Sequence, residues 1–139
     1  IFLDLITSSN ADTLNMQTSS DKGASYDSGA SDYKWATEGR HSQPNWYNSG
    51  DNADSQMTLN NTWGNAAGET MCGTVKLYSP SAIQKTRITT DFSFDSSHAT
   101  SYSVQATGGG TRLELGAVNA VRFFATGNLT GTIKLFGYK

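Results

Sequence analysis

Arg87-Ile88-Thr89-Thr90-Asp91-Phe92-Ser93-Phe94 alternates strictly, with Ile88, Thr90, Phe92 and Phe94 on one side and Arg87, Thr89, Asp91 and Ser93 on the other. A period of two places successive side chains on opposite faces of an extended chain, so this stretch is a strand with one face buried. Upstream, Met71, Gly73, Val75 and Leu77 alternate with Cys72, Thr74, Lys76 and Tyr78. That run stops at Ser79-Pro80, because proline cannot donate to a sheet ladder. Outward from this pair the same period returns at Leu14/Met16, Tyr33/Trp35, Met57/Leu59 and Tyr102/Val104. It returns again at Leu113/Leu115, Val121/Phe123 and Ile133/Leu135/Gly137. Each segment is short, β-branched or aromatic, and bounded by Gly, Asn, Asp or Ser. The spacing predicts an all-β chain: one antiparallel β-sandwich domain, jelly-roll-like, over residues 1–139.

Helix signals are nearly absent. Only three Glu occur, and the Ala-rich piece Trp63–Glu69 is bracketed by glycines and reads as a loop. Hydrophobic residues are 36% and charged residues 16% of the chain, while 34 residues are Ser or Thr and 14 are Gly. A core that thin in a domain of this size points to association with other copies. No apolar run approaches the roughly 18 residues of a membrane-spanning helix, so membrane insertion is not expected. Net charge −2 leaves no basic footprint for nucleic acid. The single Cys72 builds no internal disulfide and no zinc site, and a lone thiol on a strand argues against an oxidising compartment. Ile1-Phe2-Leu3-Asp4-Leu5-Ile6 reads as a strand already under way without a basic leader, and the chain is expected to be the C-terminal part of a longer protein.

Two connections look long enough to carry function: 19–31, which is turn-rich, and 36–55, which lacks clear alternation. Their chemistry divides by residue type. A Ser-His-Asp site would need His41 or His98, and no Gly-x-Ser-x-Gly elbow is present. Carboxylate pairs for glycan cleavage, Asp51/Asp54, Asp27/Asp32 or Asp91/Asp95, depend on a separation that sequence does not reveal. Turn aspartates normally bond their own backbone. Asp21, Asp27, Asp32, Asp51 and Asp54 supply the oxygen donors of a structural calcium, but no EF-hand or Gly-Asp repeat frames them, and no other cofactor is expected. The Asn-x-Thr triplets at Asn60 and Asn128 are expected by chance at this composition. Loop aromatics are the better candidates: Trp46 and Tyr47 beside Pro44 and Asn45, Trp63 after Asn60-Asn61-Thr62, and Tyr26. A flat ring flanked by Asn, Asp and Gln accepts the C–H face of a sugar while its hydroxyls take hydrogen bonds. Trp46, Tyr47, Trp63, Asp51 and Tyr26 are the expected ligand contacts.

The stretch Val118-Asn119-Ala120-Val121-Arg122-Phe123-Phe124-Ala125-Thr126-Gly127-Asn128-Leu129-Thr130-Gly131-Thr132-Ile133-Lys134-Leu135-Phe136-Gly137 resembles a common ending of bacteriophage and prophage virion proteins. In those chains an "I-x-x-I-R-F" strand, an "S-G-N-I-x-S-G" turn and a strand ending "L-Y-G" close the protein; here Phe136 stands in the tyrosine position. Tyr26–Ala36, Asp51–Gln56 with Gly64–Glu69, and Gly73–Pro80 resemble the same group, in order along the chain. The resemblance implies a jelly-roll module of a tail fibre, tail tip or capsid fibre, usually trimeric, within a virion assembled in the bacterial cytoplasm. The turn at Gly127-Asn128 is expected to fold Val121/Phe123 and Ile133/Leu135 into a closing hairpin. The expected task is attachment to bacterial surface polysaccharide, without catalysis. A decoration domain that only packs on other virion proteins, a glycan depolymerase and a carbohydrate-binding module are the alternatives.

Overall fold

The computed structural model describes residues 1–42, 46–97 and 102–137. Over those residues the strands are β1 (Phe2–Thr7), β2 (Asn15–Ser19), β3 (Tyr33–His41), β4 (Trp46–Asp54), β5 (Met57–Thr58), β6 (Met71–Tyr78), β7 (Arg87–Asp95), β8 (Ser103–Arg112), β9 (Ala120–Phe124) and β10 (Leu129–Ile133). They form a seven-stranded sheet, β10-β1-β6-β7-β8-β3-β4, and a three-stranded sheet, β5-β2-β9. All pairings are antiparallel. The chain is therefore the all-β antiparallel sandwich that its period of two predicts.

The core lies between the sheets. From the large sheet Ile88, Phe92 and Phe94 point inward beside Met71, Val104, Ala106 and Tyr33; Leu14, Met16, Met57, Leu59 and Trp63 meet them. Phe2 on β1 meets Phe92 edge-on at 5.6 Å and Phe123, across the sandwich, at 4.8 Å between ring centroids. Each such side chain contributes about 1.5–3 kcal/mol on burial.

Three strands cannot cover seven, which explains the first departure from expectation. The described residues within 36–55 are paired strands rather than a loop: β3 and β4 pair from Tyr33/Asp54 to Arg40/Trp46. The period is obscured because β4 lies past the small sheet and is exposed at most positions. On β3 the inward position 39 is a glycine, and a Cβ there would run into the Tyr47 ring. Tyr47 fills from β4 the space that an apolar residue on β3 would otherwise occupy.

Leu113 and Leu115 do not form a strand. β8 ends at the buried Arg112, whose guanidinium donates to the carbonyls of Glu114 (3.5 Å) and Gly116 (3.1 Å), so the chain coils around that side chain. Leu115 is left exposed. The closing hairpin is also corrected. β9 pairs with β2 and β10 with β1, so residues 125–128 carry the chain from one sheet to the other instead of reversing it. β10 stops at Ile133, and Leu135 beyond it is 92% exposed.

Candidate functional site

In an antiparallel sheet, directly paired residues share a face, so register reads out the solvent side of the large sheet as parallel rows. One row is Cys72, Ser93, Gln105, Arg40 and Trp46. The next is Thr74, Asp91, Thr107, Glu38 and Asn48. Then come Lys76, Thr89, Gly109, Ala36 and Gly50, and finally Tyr78, Arg87, Thr111 and Lys34. The face is polar and flat, except where the third row is nearly without side chains.

Two adjoining depressions occupy its β8-β3-β4 side. One of about 430 Å³ is lined by Ala36, Thr37, Glu38, Asn48, Ser49, Thr107, Gly108 and Gly109. The other, about 350 Å³, is lined by Glu38, Gly39, Arg40, Trp46, Gln105 and Thr107. Glu38 borders both. Trp46 stands at the rim, 62% exposed, with the Arg40 guanidinium 4.1 Å over its ring. The cation occupies one face of the indole.

The side chains around Trp46 are unspent. Among the described residues, the Glu38, Asn48, Gln105 and Asp91 side chains and the Thr107 hydroxyl make no hydrogen bond to another side chain or backbone group, and the only ion pairs are those of Arg112. The aspartates singled out from sequence contrast with this. Asp27 pairs with Arg112 at 2.6 Å and accepts from the Thr18 hydroxyl at 2.7 Å. Asp32 accepts from the Gly29 amide, Asp51 from the Ala53 amide, and Asp54 from Trp35 Nε1 and the Ser55 amide. Asp95 accepts from the Ser103 hydroxyl. Asp21 takes the Ser25 hydroxyl and amide and the Ser19 hydroxyl, which together hold its carboxyl down to about 2. These carboxylates cap turns and strand ends, as turn aspartates do. Among the described residues no group of three or more His, Cys, Asp or Glu side chains comes together.

The five expected contacts do not come together. Trp46 alone stands on the open face. Tyr47, one position on, points to the other side and packs against the core, and burial pushes its phenol pKa up. Asp51 pairs with Trp35 in register and so shares that inner side. Trp63 is fully buried and cannot reach a ligand. It bridges Asp12 on one side and Ser96 on the other. Tyr26 lies beneath the Arg122 guanidinium at 4.5 Å, and Arg122 in turn donates to Gln17, so that ring serves the small sheet. His41 packs edge-on against Tyr47 at 5.9 Å; Pro44, Asn45 and His98 lie outside the described residues. What sequence reasoning missed is Glu38, Arg40, Asn48, Gln105 and Thr107. Glu38 and Arg40 continue the outward alternation Lys34-Ala36 opposite Tyr33 and Trp35, whereas Asn48, Gln105 and Thr107 join them only through strand register.

Comparison with family models, with characterised proteins and with solved structures returns no match for this chain.

Proposed function

We propose that this chain is a domain of a bacteriophage virion protein that attaches the particle to bacterial surface glycan, and that the contact is the solvent face of the seven-stranded sheet around Trp46. The virion context rests on the resemblance of Val118–Gly137 to phage protein endings. The observation that carries the site is an exposed indole beside polar side chains that, among the described residues, have no hydrogen-bond partner. The open indole face would take the apolar side of a sugar ring. Gln105, Asn48 and Glu38 would take its hydroxyls.

So shallow a site is weak on its own, and attachment would rely on several copies acting together, as in a trimeric fibre. Ile1, Ile133, Leu135 and Phe136 are exposed around the edge where the Ile1 and Lys134 backbones bond each other. They offer an apolar surface for such assembly, which light scattering at micromolar concentration tests as a trimer.

Trp46→Ala is expected to change stability by less than about 0.5 kcal/mol, because the side chain stands in solvent. It is expected to weaken binding to host cells and to arrayed bacterial polysaccharides at least tenfold, or about 1.4 kcal/mol per site. Flow cytometry with labelled domain, alongside a denaturation curve, reads both. Undiminished binding by a folded Trp46→Ala variant removes the sheet face from consideration.

A further inference from the structure

The charges on the solvent face of the large sheet are arranged antisymmetrically. On β3, Lys34 and Glu38 flank Ala36 in the outward series, and on β7, Arg87 and Asp91 flank Thr89 in the same way. Ala36 and Thr89 belong to one row across the sheet, so the two cations share the row on one side of it and the two carboxylates share the row on the other. Between them on β8, Thr111 stands in the cation row and Thr107 in the carboxylate row. Residues four apart on one strand are separated by about 13 Å, too far for Lys34 to reach Glu38 or Arg87 to reach Asp91 within the chain. All four side chains are exposed, and among the described residues none is in an ion pair. Arg87 donates to the Thr111 hydroxyl at 2.7 Å, which leaves its charge uncompensated.

We infer that this face pairs with the same face of a second copy, about a two-fold axis that lies along the Ala36–Thr89 row at right angles to the strands. That rotation turns the cation row of each copy onto the carboxylate row of the other. Lys34 then meets the second copy's Glu38 and Arg87 its Asp91, and each contact occurs twice, as in any isologous interface. A pattern that is its own complement fits a second copy at every charged position of the two rows, whereas a partner of uniform charge is repelled by one of them. Sheets stacked face to face lie about 10 Å apart, a gap that a basic and an acidic side chain span together. Their strands stay nearly aligned, as this axis requires. Five strands by four rows present about 650 Å² per copy, the low end for a specific interface, so the pairing is weak and reversible. Lys76 lies on the axis and faces its own copy, which opposes the pairing. Arg40, stacked on Trp46, and Asp95, bonded to Ser103, lie outside the two paired rows. The inference stands apart from the glycan reading, but both use Glu38 and Asn48, so a glycan and a second copy exclude each other there.

Sedimentation velocity of the chain from micromolar to millimolar concentration, at low and high salt, is expected to show a reversible association that weakens as salt rises. Lys34→Glu sets carboxylate against carboxylate in both symmetry-related contacts, and Glu38→Lys sets cation against cation. Each variant alone is expected to self-associate at least tenfold more weakly than wild type. Mixed together, the two variants are expected to bind each other at least as tightly as wild type binds itself, because every 34–38 contact is then opposite in sign. Lys76→Gln is expected to tighten the pairing severalfold. The three substituted positions are exposed, and a denaturation curve for each variant checks that it folds. A wild-type chain that stays monomeric at every concentration overturns the inference, and so does a mixture that fails to associate. Variants that associate as wild type does overturn it too, and place the contact at the β10 edge around Ile133 and Leu135. If the pairing fails while Trp46→Ala loses cell binding, glycan is the occupant of the face and the reading above stands; if that variant binds undiminished, both fall.

Discussion

Trp63→Ala is expected to lower the free energy of unfolding by about 3–5 kcal/mol, the usual cost of emptying a large aromatic site. Against a domain total of about 5–15 kcal/mol, that leaves the protein partly unfolded or at the edge of it. The indole has no solvent exposure and belongs to the central cluster. Its backbone also joins separate parts of the molecule: its amide donates to the Asp12 carbonyl at 3.0 Å, and the Asp12 amide donates back at 3.3 Å. Its other bridge reaches Ser96, just past β7, so the residue links the approach to the small sheet with the end of a central strand of the large one. Among the described residues the indole nitrogen has no hydrogen-bond partner. Trp63→Phe therefore gives up volume but no bond, and a loss of only about 1–2 kcal/mol is expected. Urea denaturation of both variants decides the matter. Equal, small losses would mean that the site collapses readily around the gap and that Trp63 is not the keystone of the core.

The two tryptophans also show how far the sequence could be read. Trp46 and Trp63 carry the same local cues, an aromatic beside Asn and near Gly or Pro, and yet one stands in solvent and the other at the centre of the core. What separates them is which residues pair with them across the fold, and a local window holds no record of that. Strands buried on one side are legible for the opposite reason: in β7 every inward residue meets the small sheet, so burial is printed along the segment as a period of two. β4 meets nothing on either side over most of its length, and its strand character rests on backbone pairing with β3 alone. The solvent face inherits this blindness. Glu38, Asn48, Gln105 and Thr107 are ordinary surface residues until register aligns them, and register is a property of pairs of strands.

Local composition misleads at the end of the chain for a related reason, and Asp12 is the cause. Gly127-Asn128 has the composition of a hairpin turn, but both amides before Asn128 are spoken for. Thr126 and Gly127 donate to the two Asp12 oxygens at 3.0 and 2.8 Å, while the Thr7 hydroxyl (2.7 Å) and the Thr13 amide (2.8 Å) donate to the same carboxylate. The crossover is pinned to the start of the domain, and β9 and β10 are directed into different sheets.

Removing this buried acceptor strands several donors at once, so Asp12→Ala is expected to cost about 3–5 kcal/mol. Burial by itself would raise the Asp12 pKa, but the Gly127 and Thr126 amides, the Thr7 hydroxyl and the Thr13 amide together bring it below the ordinary aspartate value. A carboxyl whose folded pKa lies below its unfolded value near 3.9 stabilises the fold fully above that pH, and loses the contribution as pH falls through the folded value. Wild-type stability should accordingly hold between pH 7 and about 5 and decline below 4, with exposed Asp21 adding a component that persists toward pH 2. Asp12→Asn keeps the shape without the charge. It should start less stable at pH 7 and lose less on acidification, so that its stability curve converges with wild type at low pH. Urea midpoints at pH 7, 5, 4 and 3 give the comparison. Parallel curves for the two proteins would show that the carboxylate's ionisation does not hold the crossover, and the sheet exchange of β9 and β10 would then need another cause.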